Sequence, residues 1–293
     1  MKDLGARVAV AVVGIPAVLA LLYEGGWILG VAMAVLAALG AGEVSRFAEC
    51  RGVRPFGWLG MPGAAALVVA AVAFPDFASA APWALGGLGG LTLLTLLAAL
   101  WARSPGDAPL GAVSTTLFGA IYAALPMASL VLLHALPERL GWTAIRPSPW
   151  AGLMVVTLPL ACTWVGDAAA YFAGTAWGKR KLFPSVSPNK SWVGAWAGVA
   201  SAAAAAAGWL AVARGHLPGL PIEGFAGAAG VGACLGVGAI VGDLAESLLK
   251  REAGVKDSGR LFPGHGGILD RLDALSFTVP MAYAILYWLD GLA

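Results

Sequence analysis

A chain of 293 residues that is 59% hydrophobic and only 12% charged lies far below the roughly 25% charged residues of soluble domains. Its mean hydropathy of +0.82 excludes an ordinary soluble globule, and its net charge of +2 gives no reason to expect a nucleic-acid partner. Apolar runs near twenty residues recur to the end of the chain, so the expected fold class is an all-α polytopic membrane protein.

Nine transmembrane helices can be drawn in chain order, over residues 7–23, 27–48, 58–74, 83–101, 117–136, 151–174, 192–213, 225–249 and 268–289. The first follows Lys2 and Arg7 and has the flavour of a signal peptide. The second begins within five residues, and no clear small-x-small site precedes a polar start, so the first is read as a span. The connections 24–26 and 75–82 are short, which makes neighbouring helices antiparallel.

Residues 1–141 form an N-terminal scaffold region of about five helices, poor in polar residues inside its spans and suited to support or oligomer contact. Residues 142–293 form a C-terminal region of about four helices, expected from the charged loops described below to be the catalytic, cytoplasm-facing part. The Gly- and Ala-rich stretches 201–207 and 227–238 fit close approach of helix backbones in lipid. His134 and His216 read as interfacial and loop side chains. Cys50, Cys162 and Cys234 are scattered without metal or disulfide spacing.

Orientation follows from Lys and Arg placement. With the N-terminus cytoplasmic, fifteen of these side chains fall inside and only Arg139, Arg146 and Arg214 fall outside. The stretch 247–273, SLLKREAGVKDSGRLFPGHGGILDRLD, then faces the cytoplasm. It holds five cationic side chains, one histidine, four carboxylates and five glycines in 27 residues. Ionisable groups beside a bilayer core are costly and are functional by default.

Asp243 and Glu246 lie three apart near the end of the eighth span, with Ser247 and Lys250 on the same helix face. Asp270 and Asp273 repeat the spacing at the start of the ninth. One glycine-rich loop bridges the two antiparallel ends, so the four carboxylates can converge. Converging carboxylates suit Mg²⁺, which takes one or two of them and fills its other positions with water and phosphate oxygens. The competing reading, that each acid merely pairs with a neighbouring Lys or Arg, is the weaker one for four acids at a membrane.

Lys250, Arg251, Lys256, Arg260, His265 and Arg271 supply positive charge. Alone they would be a positive-inside flank holding helix ends at the headgroups. Interleaved acids and the PGHGG turn, with Pro263, Gly264, Gly266 and Gly267, argue for a site. The start of the ninth span offers backbone amides to an anion. The set is a kit for phosphoryl or nucleotidyl transfer.

The run Ser247, Leu249, Lys250, Arg251, Lys256, Asp257, Gly259, Phe262, Pro263, His265, Gly266, Gly267, Ile268, Asp270, Arg271, Leu272 and Asp273 resembles the signature of phosphatidate cytidylyltransferases, or CDP-diacylglycerol synthases. The resemblance extends upstream to Gly166, Asp167, Tyr171, Gly174, Gly178, Lys179, Ser187, Pro188, Lys190 and Ser191, and so covers roughly the C-terminal half. It departs where Asn189 stands for a common Lys and Val193 for a common Glu.

The resemblance implies CTP and phosphatidic acid as substrates, CDP-diacylglycerol and pyrophosphate as products, and a homodimer in the cell's inner membrane with its site facing the cytoplasm. It implies Mg²⁺ on Asp243 and Asp270, with K⁺ as a candidate second cation. Lys250 and Arg271 join these two acids as catalytic residues. Asp167, Lys190, Ser247, Arg251, Lys256, His265, Gly266 and Gly267 are expected to bind substrate. Asp257 and Asp273 read equally as partners of a neighbouring cation or as metal ligands. Lys179, Arg180 and Lys181 are expected at lipid headgroups.

Two other classes compete. A transporter would carry mid-span charges and inverted repeats, whereas here charge collects at one face without a repeat. A CTP-dependent lipid-alcohol kinase or a CDP-alcohol phosphotransferase is the remaining rival, and the latter's DGxxAR-type motif is absent.

Overall fold

The computed structural model describes residues 4–143, 148–259, 261 and 266–292, without the side chains of 4–11, 13, 15 and 149. The expectations placed on the side chains of Lys2, Arg7, Arg146, Arg260, Phe262, Pro263, Gly264 and His265 lie outside that description.

Eight of the nine expected spans fall on single helices, and the ninth, 268–289, is divided between two. In chain order these are α1 (Leu4–Glu24), α2 (Gly26–Glu49), α3 (Gly57–Ala73), α4 (Phe77–Ala102), α5 (Pro109–Arg139), α6 (Pro149–Trp177), α7 (Trp192–Ala213), α8 (Gly224–Ala253), the one-turn α9 (Leu269–Leu272) and α10 (Leu275–Asp290). Among the described residues, six are long and apolar enough to cross a membrane: α2, α4, α5, α6, α7 and α8. The chain is a helical, polytopic membrane protein by this measure.

Two local departures matter for the site. The segment expected as one span over 268–289 is interrupted after α9. Asp273 Oδ1 accepts the Ala274 amide at 2.7 Å, and the Ser276 hydroxyl donates to the Asp273 carbonyl at 2.6 Å. Side chains that bond nearby backbone in this way compete with helix propagation. Asp270 therefore precedes the apolar helix. The second departure is a hairpin in a chain expected to be all-α. Strands β1 (Lys181–Phe183) and β2 (Ser187–Ser191) pair antiparallel with an irregular register.

The chain divides into two compact units. Unit 1 comprises Met1–Leu132 and Leu249–Leu272, and unit 2 comprises Leu133–Leu248 and Asp273–Ala293. In unit 1, α2 packs on α3 and α3 on α4. A core of Val44, Phe47, Ala253 and Leu269, flanked by Tyr122, Leu249 and Val255, joins α2 to the end of α8 and to α9. The amide of Phe56, just before α3, donates 2.8 Å to the Thr116 hydroxyl, which itself donates to the Ala112 carbonyl.

In unit 2, α6 packs closely along α7 and also meets α10. The approach depends on small residues: a Cβ on Gly194 would meet the Ala170 carbonyl at 2.7 Å, and one on Gly166 the Gly198 carbonyl at 3.3 Å. Glycine and alanine at such crossings let helix backbones touch in lipid. At the other end of unit 2, buried Trp142 donates its indole N–H to Asp290 Oδ1 at 2.6 Å.

Candidate functional site

In unit 1 the signature stretch leaves α8 through a loop and returns at α9. Asp270, the second residue of α9, is the focus of that loop. Its Oδ1 accepts from Lys250 Nζ at 2.7 Å. Its Oδ2 accepts from the amides of Ser258 at 2.6 Å and Gly267 at 2.9 Å, with the Ser258 hydroxyl also at 2.9 Å. The Lys250 and Asp270 side chains are only 13% and 8% exposed, so their attraction is little screened by solvent. Burial pushes the Asp270 carboxyl up, but the Lys250 ammonium and the two amides outweigh it and hold the group below its ordinary value.

The amides expected to be open to an anion at this helix start are thus already used. Gly267 N–H serves Asp270, and the next two amides serve a carboxylate from far upstream. Ile268 and Leu269 donate to Oε1 and Oε2 of Glu43, at 2.9 and 3.0 Å. The Ser258 hydroxyl lies 2.7 Å from Glu43 Oε2. Glu43 is 2% exposed, on α2. Reading the first half as scaffold missed this residue. The available signal was weak: one acid in a span that also carries Arg46, three residues on towards its end.

On the same stretch of chain, Arg251 lies exposed on the last turn of α8, Lys256 exposed in the loop and Arg271 exposed on α9. Gly266 sits at φ +81°, a conformation that favours glycine, with its α-carbon against the Asp270 carboxylate.

In unit 2 a second acid–lysine pair forms. Lys190 Nζ meets Asp243 Oδ2 at 2.6 Å, and the Ser247 hydroxyl, one turn along α8, donates to Asp243 Oδ1 at 3.3 Å. The hairpin explains how Lys190 is placed. Its neighbour Ser191 pairs with Lys181 across the strands and then caps α7 by accepting the Gly194 amide at 3.2 Å. The Arg180 guanidinium lies over the Trp192 ring at 5.9 Å, bracing the same corner. Asp167 on α6 is within Coulombic reach of Asp273, Asp243 and Lys190. Glu246 is buried on α8.

Among the described residues, no three His, Cys, Asp or Glu side chains come together as a metal cage. Taken singly, a carboxylate such as that of Asp243 in unit 2 or Asp270 in unit 1 is the kind of donor accepted by a hard cation that needs few protein ligands. Asp243 and Asp270 offer carboxylate oxygens, and each already receives a cation, the ammonium of Lys190 or Lys250. Mg²⁺ typically takes one or two such carboxylates and keeps several waters.

A model of the Cytidylyltransferase family matches residues 5–289. The chain belongs to that family.

A cytidylyltransferase is a nucleotidyltransferase, and the relatives agree in kind. The phosphatidate cytidylyltransferase of Synechocystis sp. is 33% identical over 94% of both chains. That of Pseudomonas aeruginosa is 38% identical over 61% of this chain and 62% of its own. That of Bacillus subtilis is 40% identical over 48% of this chain and 51% of its own.

Proposed function

We propose that this cytidylyltransferase makes CDP-diacylglycerol and pyrophosphate from CTP and phosphatidic acid, as an integral inner-membrane enzyme with its site on the cytoplasmic side. What carries the reading is the pairing of Asp243 with Lys190 and of Asp270 with Lys250, in a helical membrane chain of this family. Such a chain can meet a lipid substrate at headgroup depth while its acyl tails stay in the bilayer.

In the proposed reaction a phosphate oxygen of phosphatidic acid attacks the α-phosphorus of CTP in line. The bond from that phosphorus to the bridging oxygen breaks, and pyrophosphate leaves with the electron pair. The lipid phosphate is already an anionic nucleophile, so no covalent enzyme intermediate is required. Lys250, Arg251, Lys256 and Arg271 hold phosphates of the two substrates, and Asp167, Lys190 and Ser247 line the nucleotide side. His265, Gly266 and Gly267 complete the set of residues proposed to bind substrate. Mg²⁺ on Asp243 and Asp270, with K⁺ as a second cation, would neutralise charge on the triphosphate. A homodimer is part of the proposal.

Purified protein given phosphatidic acid and cytidine-labelled CTP should place label in lipid only with Mg²⁺ present. EDTA should stop the reaction and excess Mg²⁺ should restore it. Full turnover in EDTA would contradict the metal assignment, and release of CDP with a newly phosphorylated lipid alcohol would favour the kinase reading.

A further inference from the structure

We infer that Glu43 is a positioning residue of the transfer site, fixing the loop that presents Asp270 through the Ser258 hydroxyl and the amides of Ile268 and Leu269. The inference rests on the cytidylyltransferase reading of that loop and adds a residue from the opposite end of the chain.

A carboxylate 2% exposed on an apolar helix is expensive unless donors surround it. Glu43 has three, from one segment 215 to 226 residues away in sequence. The two amides are consecutive and reach different oxygens. Only a carboxylate offers two acceptor oxygens in that fork. A glutamine would turn its NH₂ group towards the N–H of either Ile268 or Leu269, donor against donor. The loop is shaped to receive the acid: a Cβ on Gly259 or Gly267 would run into the Glu43 carboxylate.

Ser258 transmits the placement. Its hydroxyl carries one proton and stands between two carboxylates, 2.7 Å from Glu43 Oε2 and 2.9 Å from Asp270 Oδ2. Asp270 has Lys250 and two amides besides, so the proton can serve Glu43 while the Ser258 amide still holds Asp270. Moving Glu43 therefore moves Ser258, Ile268 and Leu269 together, and with them the orientation of the Asp270 carboxylate. Packing of α2 keeps the anchor rigid. A Cβ on Gly40 would already meet Ala123 at 3.2 Å and Leu269 at 3.4 Å.

The test compares Glu43→Gln, Ser258→Ala and the double variant with Thr116→Val, which removes a buried hydroxyl far from the loop in sequence. Wild-type turnover of CTP and phosphatidic acid is measured first, since its absence would overturn the proposed function itself. Given that turnover, Glu43→Gln should lower kcat about tenfold or more with KM for phosphatidic acid nearly unchanged. The double variant should lose no more than about twofold beyond Glu43→Gln, because the two residues act as one unit. Thr116→Val should lose thermal stability yet keep its kcat. The inference is overturned if Glu43→Gln retains wild-type kcat, if the two losses multiply, or if activity in all variants simply follows melting temperature. Ser258→Ala alone decides the matter should Glu43→Gln not be extractable folded: unchanged kcat overturns the inference, and a kcat loss without a matching fall in melting temperature supports it.

Discussion

Asp270→Asn is expected to abolish CTP-dependent transfer, by about a thousandfold or more, the scale on which preorganised electrostatic groups act. The protein should remain extractable in detergent. The carboxylate divides its work between two oxygens, one for Lys250 and one for the Ser258 and Gly267 amides. Asparagine keeps a single oxygen. If that oxygen stays with the amides, Lys250 faces an NH₂ group and loses its counter-charge. If it turns to Lys250, two loop amides face a donor. Either choice leaves a buried group unsatisfied, which costs about 1–3 kcal/mol, and removes the negative charge that the proposed Mg²⁺ would need. Initial rates and a melting curve on the same preparation check the prediction. Retained turnover would overturn the role given to Asp270.

The same geometry fixes the sign of a pH effect. The folded-state value of Asp270 is held below its ordinary 3.8, so its contribution to stability is fully present above that value. It is lost only as pH falls through the lower, folded-state one. Acid inactivation that begins near neutrality must therefore come from other groups.

Gly267→Ala is the second large effect. A methyl group there would overlap both oxygens of Glu43 and the Ser258 hydroxyl, and the surrounding groups are buried. No flexible side-chain end can give way without breaking a bond that Glu43 makes. Overpacking of this kind typically destabilises by about 1–3 kcal/mol. Here it would also displace the amide that holds Asp270. Activity is expected to fall about a hundredfold, as for small misplacements at reacting centres, together with a lower melting temperature. Gly90→Ala on α4, where an added Cβ would meet nothing within 4 Å, should change neither. An active, stable Gly267→Ala variant would show that the Glu43 cradle is dispensable.

The helices and the signature stretch were legible in the sequence because both leave strong local patterns. Long apolar runs mark the first, and charge interleaved with glycine marks the second. The pairing of its residues was not legible: Asp270 meets Lys250, and Asp243 meets Lys190 across 53 positions, the acid–cation pairing that ranks below converging carboxylates on sequence alone. The hairpin that delivers Lys190 was not legible. Its strands are three and five residues long and mostly exposed, so they carry no period-2 alternation to read.

The break at Asp273 was hidden for a different reason. Hydropathy continues across it, and only the Asp273 and Ser276 bonds to backbone reveal it. Glu43 was missed because its partners lie more than 200 positions away, and a single acid near a span end reads as an interfacial charge. The helix-start amides were rightly placed at the loop but expected to await a ligand. The protein fills them with its own Glu43 and Asp270 carboxylates, leaving Lys250, Arg251, Lys256 and Arg271 as the groups proposed to receive phosphate.

The central claim is transfer of the cytidylyl group to phosphatidic acid, and the most direct measurement follows the phosphorus atoms. Purified protein is supplied with phosphatidic acid and Mg²⁺, in parallel with CTP labelled at the α-phosphorus and CTP labelled at the γ-phosphorus. The α label should move into the lipid fraction, and the γ label should appear only in pyrophosphate. Recovery of γ label in lipid, with the α label left in CDP, would contradict the account.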